Sequence, residues 1–346
     1  MKNILFATTA LVATAGIASA DVSLSGWAEI GVNDNGNGDM QFFQDIDVTF
    51  SMSGETDGGL SFGGSVDLDE NGAFAPGTHG GSSINVSGGF GTITMGDTDG
   101  AADWAMTETA VGGSLADDHT IHAGYSGNST LDGNSDGQQL RWDYTMGAMG
   151  VAISLEQSDD GATSTSDDTV QVGLKYSMDT GSATIGMGIG YSDAGTQSTA
   201  AVAAVSSIIA TTATGTIAVD ATGAATATAT ETTVQAGSVA VAATTGDTNN
   251  MGISLSVASG GMTGVINYSD GEVEGVDVSH IAFGLGVTMD ALTIGANWGE
   301  YDTGGTKTNG VGLAVNYNLG GGATFMLGYG DGEGTDTMSM GLSLSF

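Results

Sequence analysis

The sequence predicts an all-β protein: a 16-stranded antiparallel transmembrane β-barrel with one long loop folded inward as a constriction. Three observations carry this. Segments of about ten residues alternate apolar and polar side chains along residues 21–346, and sixteen of them can be counted; such alternation marks strands with one apolar face. Tight turns such as Glu55-Thr-Asp-Gly-Gly59 alternate with longer connections, the habit of barrels that cross a membrane with short turns on one side. Finally, residues 97–137 form a loop of a length that regular β proteins reserve for function.

Taken in order, residues 1–20 read as a secretory signal peptide. Lys2 gives the positive start, Ile4 to Ile17 the apolar run, and Ala18-Ser-Ala20 the small-residue cleavage pattern. From Asp21 the period is two. Val22, Leu24, Ala28, Ile30 and Val32 fall on one face, with Ser23, Ser25 and Glu29 opposite. Further strands are expected near 45–52, 60–69, 82–88, 92–96, 138–145, 150–157, 169–178, 183–192, 249–258, 262–269, 277–289, 291–301, 308–318, 323–330 and 336–346.

The charges Asp45, Asp47, Asp67, Asp69, Arg141, Asp143, Glu156 and Lys175 all occupy the polar parity of their strands. A lysine or arginine on the lipid face near the midplane would cost about 2–4 kcal/mol. A soluble β-sandwich alternates in the same way; the export signal, the even strand count and the turn asymmetry select the barrel. Trp142, Tyr144, Tyr176, Tyr191, Trp298, Tyr317, Tyr329 and Phe346 lie on apolar parities, as an aromatic girdle requires. Residues 193–248 break the rhythm with Ala and Thr; they read as a long extracellular loop or a hairpin built from Thr216–Asp220 and Ser238–Ala242.

Composition excludes several classes of function. Forty acidic residues against four basic ones give a net charge of −36, a field that repels nucleic acid and attracts cations. With no cysteine there is no disulfide, thiolate metal site or thiol nucleophile. No Gly-x-Ser-x-Gly elbow stands out, and His280 has no partner motif, so no enzyme is expected. His119 and His122, three apart, would point to opposite faces of a strand and chelate poorly.

The quoted segments resemble the general porins of the Gram-negative outer membrane, specifically the alphaproteobacterial type. Asp21-Val-Ser-Leu-Ser-Gly-Trp27 is similar to that family's first strand, and Phe90-Gly-Thr-Ile-Thr-Met-Gly-Asp-Thr-Asp99 to the strand entering its constriction loop. Leu140-Arg-Trp-Asp-Tyr-Thr145 and the turn after it resemble the return from that loop, and Met338–Phe346 ends in the terminal aromatic that the family's assembly machinery reads. The resemblance implies sixteen strands, a homotrimer in outer-membrane lipid, and passive diffusion of small hydrophilic solutes. It departs in one respect: the family's wall facing the loop clusters Arg and Lys, whereas here the corresponding strands offer Asp45, Asp47, Asp67 and Asp69.

The expected constriction therefore sets Asp97, Asp99, Asp103, Glu108, Asp117 and Asp118 of the loop against those four aspartates, with Arg141 and Lys175 as the wall cations. Acidic rings of this kind select cations. Arg141 either pairs with a loop acid and pins the loop to the wall, or stands exposed and unpaired. No cofactor is required, and Ca2+ is the one candidate ligand: Asp132, Asn134, Asp136 and Asp143 match the spacing of a calcium loop, without its flanking helices. Two alternatives stay open, a secreted acidic calcium-binding adhesin built as a β-solenoid and a substrate-specific outer-membrane channel.

Overall fold

The computed structural model describes residues 21–34, 36, 40–71, 78–115, 138–157, 167–199, 206–219, 225–237, 244–332 and 335–346. The expected signal peptide, residues 1–20, lies outside them. Sixteen antiparallel strands close into a barrel. In chain order they begin with β1 (Asp21–Asp34), β2 (Gln41–Glu55), β3 (Ser61–Asn71), β4 (Thr78–Gly88) and β5 (Gly91–Asp97). After a short helix α1 (Ala101–Ala105) come β6 (Gln138–Met146), β7 (Met149–Glu156), β8 (Thr169–Asp179) and β9 (Thr184–Thr199). Two further strands, β10 (Ser206–Val219) and β11 (Ala225–Gly237), pair only with each other.

The wall resumes with β12 (Thr244–Ser259), β13 (Met262–Val273), β14 (Val276–Met289), β15 (Leu292–Thr303), β16 (Thr306–Gly320), β17 (Ala323–Gly332) and β18 (Thr335–Ser345). Each wall strand pairs with its sequence neighbours, β9 pairs with β12, and β18 returns to β1. A closed order of this kind leaves no sheet edge in lipid, and it rules out the β-solenoid alternative.

One expectation needs correction. The hairpin exists, but its second strand is Ala225–Gly237, and Ser238–Ala242 lies outside the described residues. The Ala-Thr alternation from Ala225 to Thr230 carries a period of two that reads as low complexity, so the strand is hidden by its composition. The barrel also rises higher than expected here: β9 and β12 stay paired up to Thr199 and Thr244.

Period-two sequence becomes a two-sided wall. Along β14, His280, Ala282, Gly284 and Gly286 are buried, while Ile281, Phe283 and Leu285 between them are exposed. The same split runs round the barrel. Ile30, Phe50, Leu68, Ile84, Ile153, Leu174, Ile253, Ile266 and Leu313 are exposed on the outside, and Glu29, Gln139, Ser154, Gln171, Asn267 and Ser339 are buried within. An apolar outside with a polar inside is how a barrel meets a bilayer. No helix of the described residues is long and apolar enough to cross a membrane.

Aromatic rings mark two levels on that outer face. Trp142 and Tyr144, stacked with centroids 6.3 Å apart, sit near the short β6–β7 turn. Tyr176 and Tyr317 approach the same end of the barrel on β8 and β16. Toward the other end, Tyr191 and Tyr268 donate to Asp193 and Asp270, each two residues further along the strand, and Trp298 packs on Phe283 with centroids 5.0 Å apart. Rings with one polar tip suit the water–lipid boundary.

Candidate functional site: an inner belt and the wall it leaves bare

After Asp97 the chain turns into the barrel and follows its inner wall. Gly96 makes that turn possible, with φ of 122° and Ser82 and Ser83 so close that a side chain would collide with their backbone. Helix α1 then lies flat on the wall. Ala101 and Ala102 are fully buried and Ala105 nearly so, because only small side chains let a helix approach this closely. Its first amides, which lack intrahelical acceptors, find them in the barrel: Ala101 donates to Ser154 Oγ at 2.9 Å and Ala102 to Gln171 Oε1 at 2.9 Å.

From Met106 to Leu115 the segment runs extended across the remaining strands. Thr107 donates to Ser254 Oγ on β12 at 3.0 Å and accepts from Asn267 on β13. Gly113 exchanges two hydrogen bonds with the Asn316 carboxamide on β16, at 2.9 and 2.8 Å. Inward glycines make the close approach possible. A Cβ at Gly173, Gly188, Gly284 or Gly295 would overlap the carbonyl of Ala101, Ala105, Thr109 or Val111 in turn. Leu115, fully buried, ends the described path. Its methyl fills a notch between Gly31 and Gly341, which face each other across the β1–β18 seam.

Residues 98–115 thus form a belt against β6 to β9, β12 to β17 and the β1–β18 seam. The inner face of β2 to β5 stays uncovered by the described residues. Each belt–wall hydrogen bond contributes about 0.5–1.5 kcal/mol, and losing one leaves a buried wall group unsatisfied, which costs more.

Both wall cations serve as clamps on α1. Arg141 Nη1 donates to the Asp99 carbonyl at 2.7 Å, just before the helix, and its Nε reaches Asp143 Oδ1 at 3.4 Å. The Asp99 carboxylate stands 3.9 Å away and is largely exposed, so that ion pair adds little. Lys175 Nζ donates to the Trp104 carbonyl at 3.3 Å at the other end of the helix and sits 3.3 Å from the centre of the Trp104 ring. Lys307 is engaged elsewhere, with Glu300 at 2.7 Å. Among the described residues, then, no cluster of free cations faces the acids.

The Arg141 side chain is only 11% exposed. Arg141→Met should therefore cost about 1.5–3 kcal/mol, the worth of a charge-assisted hydrogen bond at a part-buried site. The drop would appear as a lower temperature for losing the compact electrophoretic form of the barrel. Trp104 fluorescence should shift as α1 loosens.

The carboxylates gather on the bare wall. Asp45 and Asp47 on β2 are half-buried, and Asp67 on β3 accepts from Thr49 Oγ1 at 2.8 Å. In the sheet register Asp47 stands opposite Asp69, and Asp45 opposite Glu29. Like charges directly opposite one another destabilise a sheet. Glu29, 2% exposed, is the member that sequence reasoning left out of the site. Its polar parity is plain in the sequence, but its facing Asp45 depends on the β1–β2 register.

On the loop side, Asp97 lies over Gly81 of β4, Asp103 is half-buried in α1, and Glu108 is exposed. Asp117, Asp118, Asp132, Asn134 and Asp136 lie outside the described residues. Asp143, the remaining member of the expected calcium set, is on β6 beside Arg141. Among the described residues no group of three or more His, Cys, Asp or Glu side chains could hold a metal ion.

A closed barrel, apolar outside, with an internal belt pinned to one side of a polar interior defines a transmembrane β-barrel of the pore-forming kind. A profile of the Gram-negative porin family matches residues 7–242 and 232–337, and the chain belongs to that family. A porin of Rhodobacter capsulatus is 33% identical over 179 residues, 48% of this chain and 54% of the relative, so the match spans about half of that relative's length. The fold is similar to a porin structure refined at 1.8 Å resolution, with a TM-score of 0.66 and 22% identity over 94% of this chain and all of the other. It is also similar to a mutant of Rhodopseudomonas blastica porin (TM-score 0.62, 15% identity, 94% and 100% covered) and to a loop-deletion mutant of Vibrio cholerae OmpT (0.61, 13%, 94% and 99%).

Proposed function

We propose that the protein is an outer-membrane porin: a water-filled channel for passive diffusion of small hydrophilic solutes, preferring cations, assembled as a homotrimer. One observation carries this reading. The described belt lies on β6 to β9 and β12 to β18 and narrows the interior from one side only, and the wall it leaves bare bears Asp45, Asp47 and Asp67 with no lysine or arginine on β1 to β5. Residues 97–137 act as the constriction loop, and residues 193–248 as the long extracellular connection. Low-dielectric walls of one sign focus the potential and concentrate counter-ions. The trimer rests on the family.

Reconstitution into liposomes tests the channel. Swelling in isotonic arabinose should be rapid with the protein and absent without it. A protein that fractionates with outer membranes yet gives no swelling would contradict the reading. Native-membrane crosslinking should trap trimers; monomers alone would count against the assembly.

A further inference from the structure

The bare wall has a second feature below its carboxylates. Gly63 on β3 is surrounded in the sheet by four polar residues: Ser53 opposite on β2, Asn85 opposite on β4, and Ser61 and Ser65 two places away on its own strand. A Cβ at Gly63 would stand 3.2 Å from the Asn85 amide nitrogen and 3.1 Å from the Met52 carbonyl. Gly63, with the Asn85 side chain packed against it, lies in the floor of a hollow of about 810 Å³ lined by these residues, by Ser51, and by Asp21, Glu55 and Asp57.

The hydrogen-bonding capacity around that floor is largely unspent. Ser65 and Ser83 share one bond at 3.0 Å. The side chains of Ser51, Ser53, Ser61 and Asn85 make none among the described residues. An apolar ligand would strip water from these groups and return nothing. An anion would meet Glu55 and Asp57 with no cation on β1 to β5 to balance them. A neutral polyhydroxylated molecule satisfies both demands: its hydroxyls donate to the carboxylates and exchange bonds with serine and asparagine. Neighbouring side chains stand about 4.8 Å apart across strands and about 6.8 Å apart along one, a spacing that lets opposite edges of a sugar ring be held at once.

We propose that this Gly63-centred hollow is a saccharide-binding station in the channel. It relies on the porin reading only for access from the lumen. Saturation-transfer NMR with sucrose, on the detergent-solubilised protein, tests it without any need for conduction. Polyethylene glycol of matched size is the control for mere entry.

The native protein should transfer saturation to sucrose and not to the polymer. Ser53→Ala with Asn85→Ala should weaken sucrose binding about tenfold, the worth of two modest hydrogen bonds. Gly63→Val should abolish it by pushing the Asn85 amide out of its place on the floor. Equal transfer to sucrose and polymer, or a Ser53→Ala/Asn85→Ala protein that binds sucrose as the native one does, would overturn the proposal. Conductance of the same proteins in KCl is read separately. Normal conductance without sucrose binding sinks the station alone, whereas sucrose binding without conductance sinks the channel and leaves the station standing.

Discussion

Valine at both Gly284 and Gly295 is expected to lower the stability of the barrel and reduce its conductance together. The carbonyls of Thr109 and Val111 occupy the space where those side chains would start. Backbone has no rotamer to give, so the belt itself must move, and the only free direction is toward the axis. Overpacking of this kind costs about 1–3 kcal/mol per site. Two sites should bring a clear fall in the temperature at which the compact electrophoretic form is lost, and a belt pushed inward narrows the opening. Gly264→Ala is the matched control: it lies on the outer parity, and its Cβ would meet only Leu285 Cδ2, at 3.5 Å. That variant should keep native stability and conductance. Equal conductance in the double variant would mean that the belt does not bound the open path.

Neutralising the wall should have the second large effect. With Asp45, Asp47, Asp67 and Asp69 all changed to Asn, the cation-to-anion permeability ratio should fall by about five- to tenfold, because potentials of several kT act in a focused lumen. The barrel should fold at least as well. The Asp67→Asn change keeps a carbonyl oxygen as acceptor for Thr49 Oγ1, and the facing positions of Asp47 and Asp69 no longer carry like charges. The ratio measured in dilute salt should shrink in concentrated salt, where the Debye length falls to about 3 Å at 1 M.

Much of this architecture was legible from residue order alone, and the reason is physical. A strand between lipid and water must alternate, so all sixteen wall strands left their period in the sequence. The long loop announced itself between Thr92–Gly96 and Gln138–Thr145 by lacking that period. Its route did not. The belt is held by backbone amides on Ser154, Gln171, Ser254 and Asn316, residues far apart in sequence that are brought together only by closure of the sheet.

A usable signal existed: Gly186, Gly188 and Gly190 on β9, with Gly284 and Gly286 on β14, put glycine where the pattern calls for a lumenal side chain. Such runs mark close backbone approach. Arg141 was readable as the cation that pins the loop to the wall, but its main partner is the Asp99 carbonyl rather than a carboxylate; Lys175 was readable only as a lumenal cation, since its partner is the carbonyl of Trp104, which no residue type encodes. The residues at the end of the belt are equally silent in sequence. Nothing about Leu115 suggests that it fills the notch at Gly31 and Gly341, where the first strand meets the last.

In the proposed channel, solutes pass a lumen bounded on its open side by carboxylates, with no opposing cation cluster among the described residues. The most direct test is the zero-current potential of the unmodified protein in a planar bilayer with a tenfold KCl gradient. The expected potential has the sign of K+ crossing in excess of Cl−, and it collapses toward zero in the fourfold Asp→Asn protein. A potential of the opposite sign in the unmodified channel would contradict it.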